Sequence, residues 1–249
     1  TRRRDAGAAG ANDPELVVAR EPTSLMAEAA RSIRSNITFM SPDRPPQMML
    51  VTSADAGEGK TTTAITLATT FAQTGARTII IDLDLRRPRI HKVFKLGPEH
   101  GITSVLLGEE TLDEAIQKTS VANLSILSAG RIPPNPAELL MSEKLYELLQ
   151  QLRTRFDRVI VDSPPVGLVT DAVILSTRTD GVIFVARSYV STIDHVGQSL
   201  RSLRSVKARV LGIILNAVDL RRLEYKYSYN YRYYTGYGDY NQGNPKANS

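Results

Sequence analysis

Ten residues, Ser53-Ala54-Asp55-Ala56-Gly57-Glu58-Gly59-Lys60-Thr61-Thr62, constrain this chain more than any others. They follow an apolar run, Met48-Met49-Leu50-Val51, and precede a helix-like run from Thr63 to Thr74. A strand, a glycine-bearing loop and a helix start, in that order, make a phosphate cradle. Loop N–H groups turn inward, and the helix N-terminus adds its partial positive charge. In such a cradle Lys60 reaches the β/γ-phosphates as a point charge and the Thr61 hydroxyl binds Mg²⁺. The G-x-x-x-x-G-K-[ST] pattern is met with Ala54 at its first glycine, a residue that tolerates fewer backbone angles. Nucleotide contacts are therefore expected over Ala54, Asp55, Ala56, Gly57, Glu58, Gly59, Lys60, Thr61 and Thr62. The bland alternative is a glycine-rich turn that only joins strand to helix.

A chain of 249 residues, 42 % hydrophobic, can bury a full core as one α/β domain or two small ones. Cysteine is absent, which excludes disulfides and thiolate metal sites. No run of about 20 apolar residues is present to span a bilayer. Arg2-Arg3-Arg4 contributes to the net charge of +5. It reads as a solvated tail or as the flank of a membrane helix lying upstream.

Residues 1–21 lack periodicity and are expected to be a flexible leader. Pro22-Thr23-Ser24 starts a helix expected over Leu25 to about Phe39, and Asp43-Arg44-Pro45-Pro46 ends that segment. Strands are expected at Thr78–Leu83, Leu124–Leu127, Arg158–Asp162, Gly181–Ala186 and Val210–Leu215, nearly all apolar and β-branched, as in a parallel sheet covered on both faces. Helical patterns fall between them at Ile102–Leu107, Leu112–Lys118, Ala137–Phe156, Asp171–Ser176 and Thr192–Val206. The alternation predicts an α/β fold: a doubly wound, mostly parallel sheet with helices on both faces, spanning residues 22–220. Ligands in that architecture lie beyond the strands' carboxyl ends.

Two of those strands end in acids. Asp82 and Asp84, spaced i and i+2, aim toward one side, and Asp162 ends the Val159–Val161 run. Together with Thr61 they suit Mg²⁺ held directly or through water, or a carboxylate that accepts a proton from an incoming hydroxyl. As single residues they would read as turn formers or helix caps.

These motifs together resemble the cytoplasmic catalytic domain of the bacterial tyrosine kinases, which are P-loop ATPases related to partition ATPases. Ala54–Thr61 matches Walker A, Ile79–Arg86 Walker A′ and Val159–Pro165 Walker B. Gly130-Arg131-Ile132-Pro133-Pro134-Asn135-Pro136-Ala137-Glu138-Leu139-Leu140 extends the match across most of residues 22–240. The resemblance implies ATP and Mg²⁺ as cofactors and Lys60, Asp82, Asp84 and Asp162 as the catalytic set. Of these, Asp82 is the base-like acid and Asp84 the closer metal partner, while Thr61, Asp82, Asp84 and Asp162 together make the metal set. Asn216 takes the adenine-contact position, or is a plain turn asparagine.

After Asp219 the composition changes. Tyr225, Tyr227, Tyr229, Tyr231, Tyr233, Tyr234, Tyr237 and Tyr240 lie among Asn, Gly, Lys, Arg and Ser, so residues 221–249 are expected to be a flexible tail. That tail reads as a low-complexity terminus, as a base-stacking segment, or, on the resemblance, as the site of autophosphorylation. Base stacking would need a charged groove, which the sequence of the core does not advertise. Glu28, Arg31 and Arg34 fit the family's E-x-x-R-x-x-R pattern, which implies the subunit interface of a ring, octameric in the family. The alternative is an intrahelical Glu28–Arg31 pair on a solvated face. The resemblance further implies a transmembrane activator, a cognate tyrosine phosphatase, control of capsular or exopolysaccharide synthesis and export, and a place at the cytoplasmic face of the inner membrane. The nearest rival is a partition or division-site ATPase switch. Its signature lysine would stand at Asp55.

Overall fold

The computed structural model describes residues 14–41, 43 and 45–219. Seven strands form one sheet in the order β3-β4-β2-β5-β1-β6-β7. These are β1 (Met48–Ser53), β2 (Thr78–Asp82), β3 (Gln117–Lys118), β4 (Leu124–Leu127), β5 (Arg158–Asp162), β6 (Gly181–Arg187) and β7 (Val210–Asn216). All neighbouring pairs are parallel except β3 with β4. The doubly wound architecture expected from the alternating pattern is therefore present.

Side chains alternate across a strand, so each buried strand feeds two cores. Met48 and Leu50, Ile79 and Ile81, and Val159 and Val161 face one core with Leu145, Leu149 and Leu152 of α8 (Glu143–Arg155). Met49 and Val51, Ile80 and Ile160 face the other, against Ile65, Leu67, Ala68 and Phe71 of α3 (Lys60–Ala72). This double coverage is the physical reason the strands read as unbroken apolar runs.

Three expectations need correction. The leader is folded from Pro14 onward: Pro14–Leu16 forms a 3₁₀ turn and Val17–Arg20 the short α1. Leu16 enters the α3-side core, Val18 packs with Ala27 and Ala30, and Gln73 Nε2 donates to the Val18 carbonyl at 3.2 Å. A segment this short carries no periodicity, because its partners lie far along the chain. The helix expected over 137–156 is two, α7 (Pro136–Met141) and α8, since Ser142 leaves the helical conformation and caps Leu145 N–H at 3.2 Å. The pattern at 112–118 is helical only to Ala115; Gln117–Lys118 instead pairs antiparallel with β4. The helix α2 (Leu25–Phe39) matches its expectation, with Ser24 Oγ accepting from Ala27 N–H at 3.2 Å.

Glu28 and Arg31 form the intrahelical pair on an exposed face, and Arg31 Nη1 also donates to the Pro22 carbonyl at 2.7 Å. Arg34 Nη1 reaches the Thr70 carbonyl of α3 at 3.1 Å, so it ties two helices together. The expected tail and its tyrosines lie outside the described residues.

Candidate active site

The carboxyl ends of β1, β2 and β5 lie side by side, with Asp82 paired in register to Asp162 and Val51 to Asp162. Beyond β1 the chain turns through the glycine loop into α3. Gly57 and Gly59 adopt φ of +80° and +96°, the left-handed region that favours glycine. Gly59 is the cap residue of α3, so the first N–H groups of that helix point into the loop.

Contacts from distant parts of the chain hold the loop in this shape. Glu58 is fully buried; its Oε2 accepts from Asp55 N–H at 2.9 Å and its Oε1 from the Ser191 hydroxyl. Arg187 Nη1 donates to the Gly57 carbonyl at 3.0 Å, and Asn216 Nδ2 donates to the Glu58 carbonyl at 3.0 Å. His195 Nδ1 lies 3.0 Å from Asp55 Oδ2. Val166 N–H and Gly167 N–H donate to the Ser53 and Ala54 carbonyls, stitching the turn after β5 to the start of the loop. A Cβ on Gly59 would stand 2.0 Å from Asn216 Nδ2. Gly59→Ala is therefore expected to cost about 1–3 kcal/mol from the backbone angle alone, plus the displacement of Asn216. Urea melts of the single variant and of Gly59→Ala with Asn216→Ala check this: removing the asparagine recovers the clash but not the angle.

The acids differ in environment. Asp162 Oδ2 accepts the Thr61 hydroxyl at 2.6 Å, while its Oδ1 is buried without a hydrogen-bond partner. Burial pushes the Asp162 carboxyl up to about 7 against the opposing pull of the Thr61 hydroxyl and the Lys60 ammonium. Asp82 is fully buried and accepts three backbone N–H groups, those of Arg89 (2.9 Å), Ile90 (3.0 Å) and Asp84 (3.2 Å). Burial first, then the charge of Asp162, raises its carboxyl well above the ordinary range. Asp84 is the half-buried member, and its Oδ1 accepts Arg87 N–H at 3.0 Å. Lys60 is buried at the start of α3 and has no ion pair among the described residues.

The orphaned Asp162 oxygen beside a hydroxyl and two further acids fits a hard cation that prefers oxygen ligands. Among the described residues no three acidic or imidazole side chains converge closely enough to hold a metal unaided. A Mg²⁺ here would thus complete its octahedron with water and phosphate oxygens, as that ion commonly does.

Residues 46–214 match the family model described as an AAA domain. The chain is 41 % identical over 213 residues to the tyrosine-protein kinase YwqD of Bacillus subtilis (strain 168), covering 85 % of this chain and 90 % of that protein. It belongs to the bacterial tyrosine kinases. Two solved structures superpose closely. The chimerical protein CapA2B2 does so with a TM-score of 0.80 at 38 % identity, over 83 % of this chain and 91 % of that one. The kinase domain of the Escherichia coli tyrosine kinase ETK does so with a TM-score of 0.79 at 33 % identity, over 87 % and 83 %. Against Wzc of Salmonella typhi, 32 % identical, this tyrosine-kinase chain covers 31 % of the relative's length. The Pyrococcus furiosus cell division ATPase MinD shares the fold alone, at 24 % identity and a TM-score of 0.58.

The structure brings Lys60, Thr61, Asp82, Asp84 and Asp162 to one end of the sheet and lays Asn216 against the loop. Several contributors carry no local signal. Arg187 at the end of β6 and Ser191 in the turn after it brace the loop. Arg86, at the end of Walker A′, binds the buried Asp171 through two bonds of 2.8 and 3.0 Å, anchoring the second motif to α9 (Asp171–Ser176). These pairs join residues too distant in the chain for spacing to reveal.

Proposed function

We propose that this chain is an ATP- and Mg²⁺-dependent protein-tyrosine kinase that phosphorylates the C-terminal tyrosine cluster of another copy. The observation that carries the proposal is the polarised acid pair, Asp82 and Asp162, beside a braced phosphate loop in a chain whose relatives are named tyrosine kinases. Lys60 and the N–H groups of residues 57–62 bind and orient the phosphates. Thr61, Asp84 and Asp162 would hold the metal, which would neutralise charge on the phosphates. Asp82, whose burial raises its proton affinity, takes the phenolic proton when ionised, as the tyrosine oxygen bonds to the γ-phosphorus and the bond to ADP breaks. Asn216 lies against the loop where a base contact would be made.

Glu28, Arg31 and Arg34 are proposed as interface residues of a ring-like assembly, with residues 221–249 as the substrate tail. A membrane activator, a phosphatase, the inner membrane face and polysaccharide export belong to the same proposal through the family resemblance alone. Among the described residues no helix is long and apolar enough to cross a membrane. The discriminating experiment is incubation with γ-labelled ATP and Mg²⁺. Label on Tyr225–Tyr240, mapped by mass spectrometry, is the expected product; free phosphate alone would make the chain a switch.

A further inference from the structure

Beside the carboxylates lies a cleft of about 830 Å³, lined among others by Arg87, Arg89, Lys92 and Arg131 and by Glu15 and Glu99. Its lining is tied to the site, because Arg87 N–H donates to Asp84 and Arg89 N–H to Asp82. The two acids are already spent: buried Glu15 pairs with Arg89, and Glu99 pairs with Arg131 at 3.0 Å. Among the described residues no carboxylate pairs with the exposed side chains of Arg87 and Lys92. The cleft therefore carries an uncompensated positive charge within reach of the transfer site.

The unmodified tail does not suit such a cleft, since residues 221–249 hold five basic residues (Arg221, Arg222, Lys226, Arg232, Lys246) and two acidic ones (Glu224, Asp239). Phosphorylation inverts this, adding roughly −1.5 to −2 charges per tyrosine and three strong acceptor oxygens. We propose that the cleft is a phosphotyrosine-binding subsite that holds an already modified stretch of a second copy's tail beside the site. This rests on the kinase reading above. A tail that has received one phosphate is then retained while its next tyrosine reaches Asp82 and Asp84, so modification spreads along a started tail before a new one is begun. The phosphate dianion is recognised by Arg87 and Lys92, whose side chains line the cleft and are exposed.

The test is binding without nucleotide. The full chain, dephosphorylated, is titrated into a labelled peptide of residues 225–240, either unmodified or phosphorylated at Tyr237 and Tyr240, and anisotropy is followed. The phosphopeptide is expected to bind about tenfold tighter or more, as charge-assisted bonds of this kind allow. Lys92→Glu removes that preference and Lys92→Arg keeps it. Equal affinity for both peptides, or a preference unmoved by Lys92→Glu, overturns the subsite. Equal competition by a single-stranded oligonucleotide of matching charge overturns it too, as generic polyanion binding. No phosphoryl transfer is involved, so failure here is distinguishable from failure of the kinase assignment.

Discussion

Lys60→Met lowers tyrosine phosphorylation by about 100- to 1000-fold, the scale measured when one preorganised charge-stabilising group is removed. The lysine begins α3, directly after the left-handed Gly59, so its stem is fixed by the loop and the helix together. Its ammonium is buried and has no ion pair among the described residues. Methionine keeps the stem and the helix and removes only the charge. Far-ultraviolet circular dichroism and the melting temperature should therefore change little while phosphotyrosine formation collapses. A parallel loss of folding would move Lys60 from chemistry to structure.

Asp162→Asn separates stability from activity by sign. In the folded chain this carboxyl titrates at about 7, far above an unfolded aspartate. Between the two values the folded state binds the proton more tightly, so this group favours folding at low pH. That contribution is lost as pH rises through 7, where the buried charge must form. The asparagine has no such charge, so from pH 5.5 to 8.5 the nucleotide-free variant is expected to lose less melting temperature than the parent. Its kinase activity falls about 100-fold or more, since the oxygen left without a partner is the one suited to the metal. Mg·ATP should raise the parent's melting temperature and leave the variant's nearly unmoved. Identical pH slopes would remove Asp162 from the account of the buried charge.

The sequence makes the sheet legible because burial on both faces leaves a continuous apolar run, as in Ile79–Ile81 and Val159–Val161. The phosphate loop is equally legible, since its chemistry is confined to one short stretch. Illegible are the features whose partners are remote. Pro14–Arg20 has a pattern only in relation to α3 and Ala27, and Ser142 breaks a helix whose apolar spacing continues through it. The same holds for the site. Asp82, Asp84, Asp162 and Lys60 announce themselves at strand and helix ends, whereas the brace of Ser191 and Arg187 and the Arg86–Asp171 anchor arise from tertiary proximity. The Glu28–Arg31–Arg34 row shows the converse: its spacing is plain, yet within one chain its arginines bind Glu28, Pro22 and Thr70.

The most direct measurement mixes two full-length chains. One carries Lys60→Met and retains every tail tyrosine; the other has an intact site and phenylalanine at Tyr225, Tyr227, Tyr229, Tyr231, Tyr233, Tyr234, Tyr237 and Tyr240. With ATP and Mg²⁺, phosphotyrosine is expected in the tail of the Lys60→Met chain, at a rate that rises with the concentration of the other. Hydrolysis of ATP with no phosphotyrosine on either chain would contradict transfer from this site to a second copy's tail.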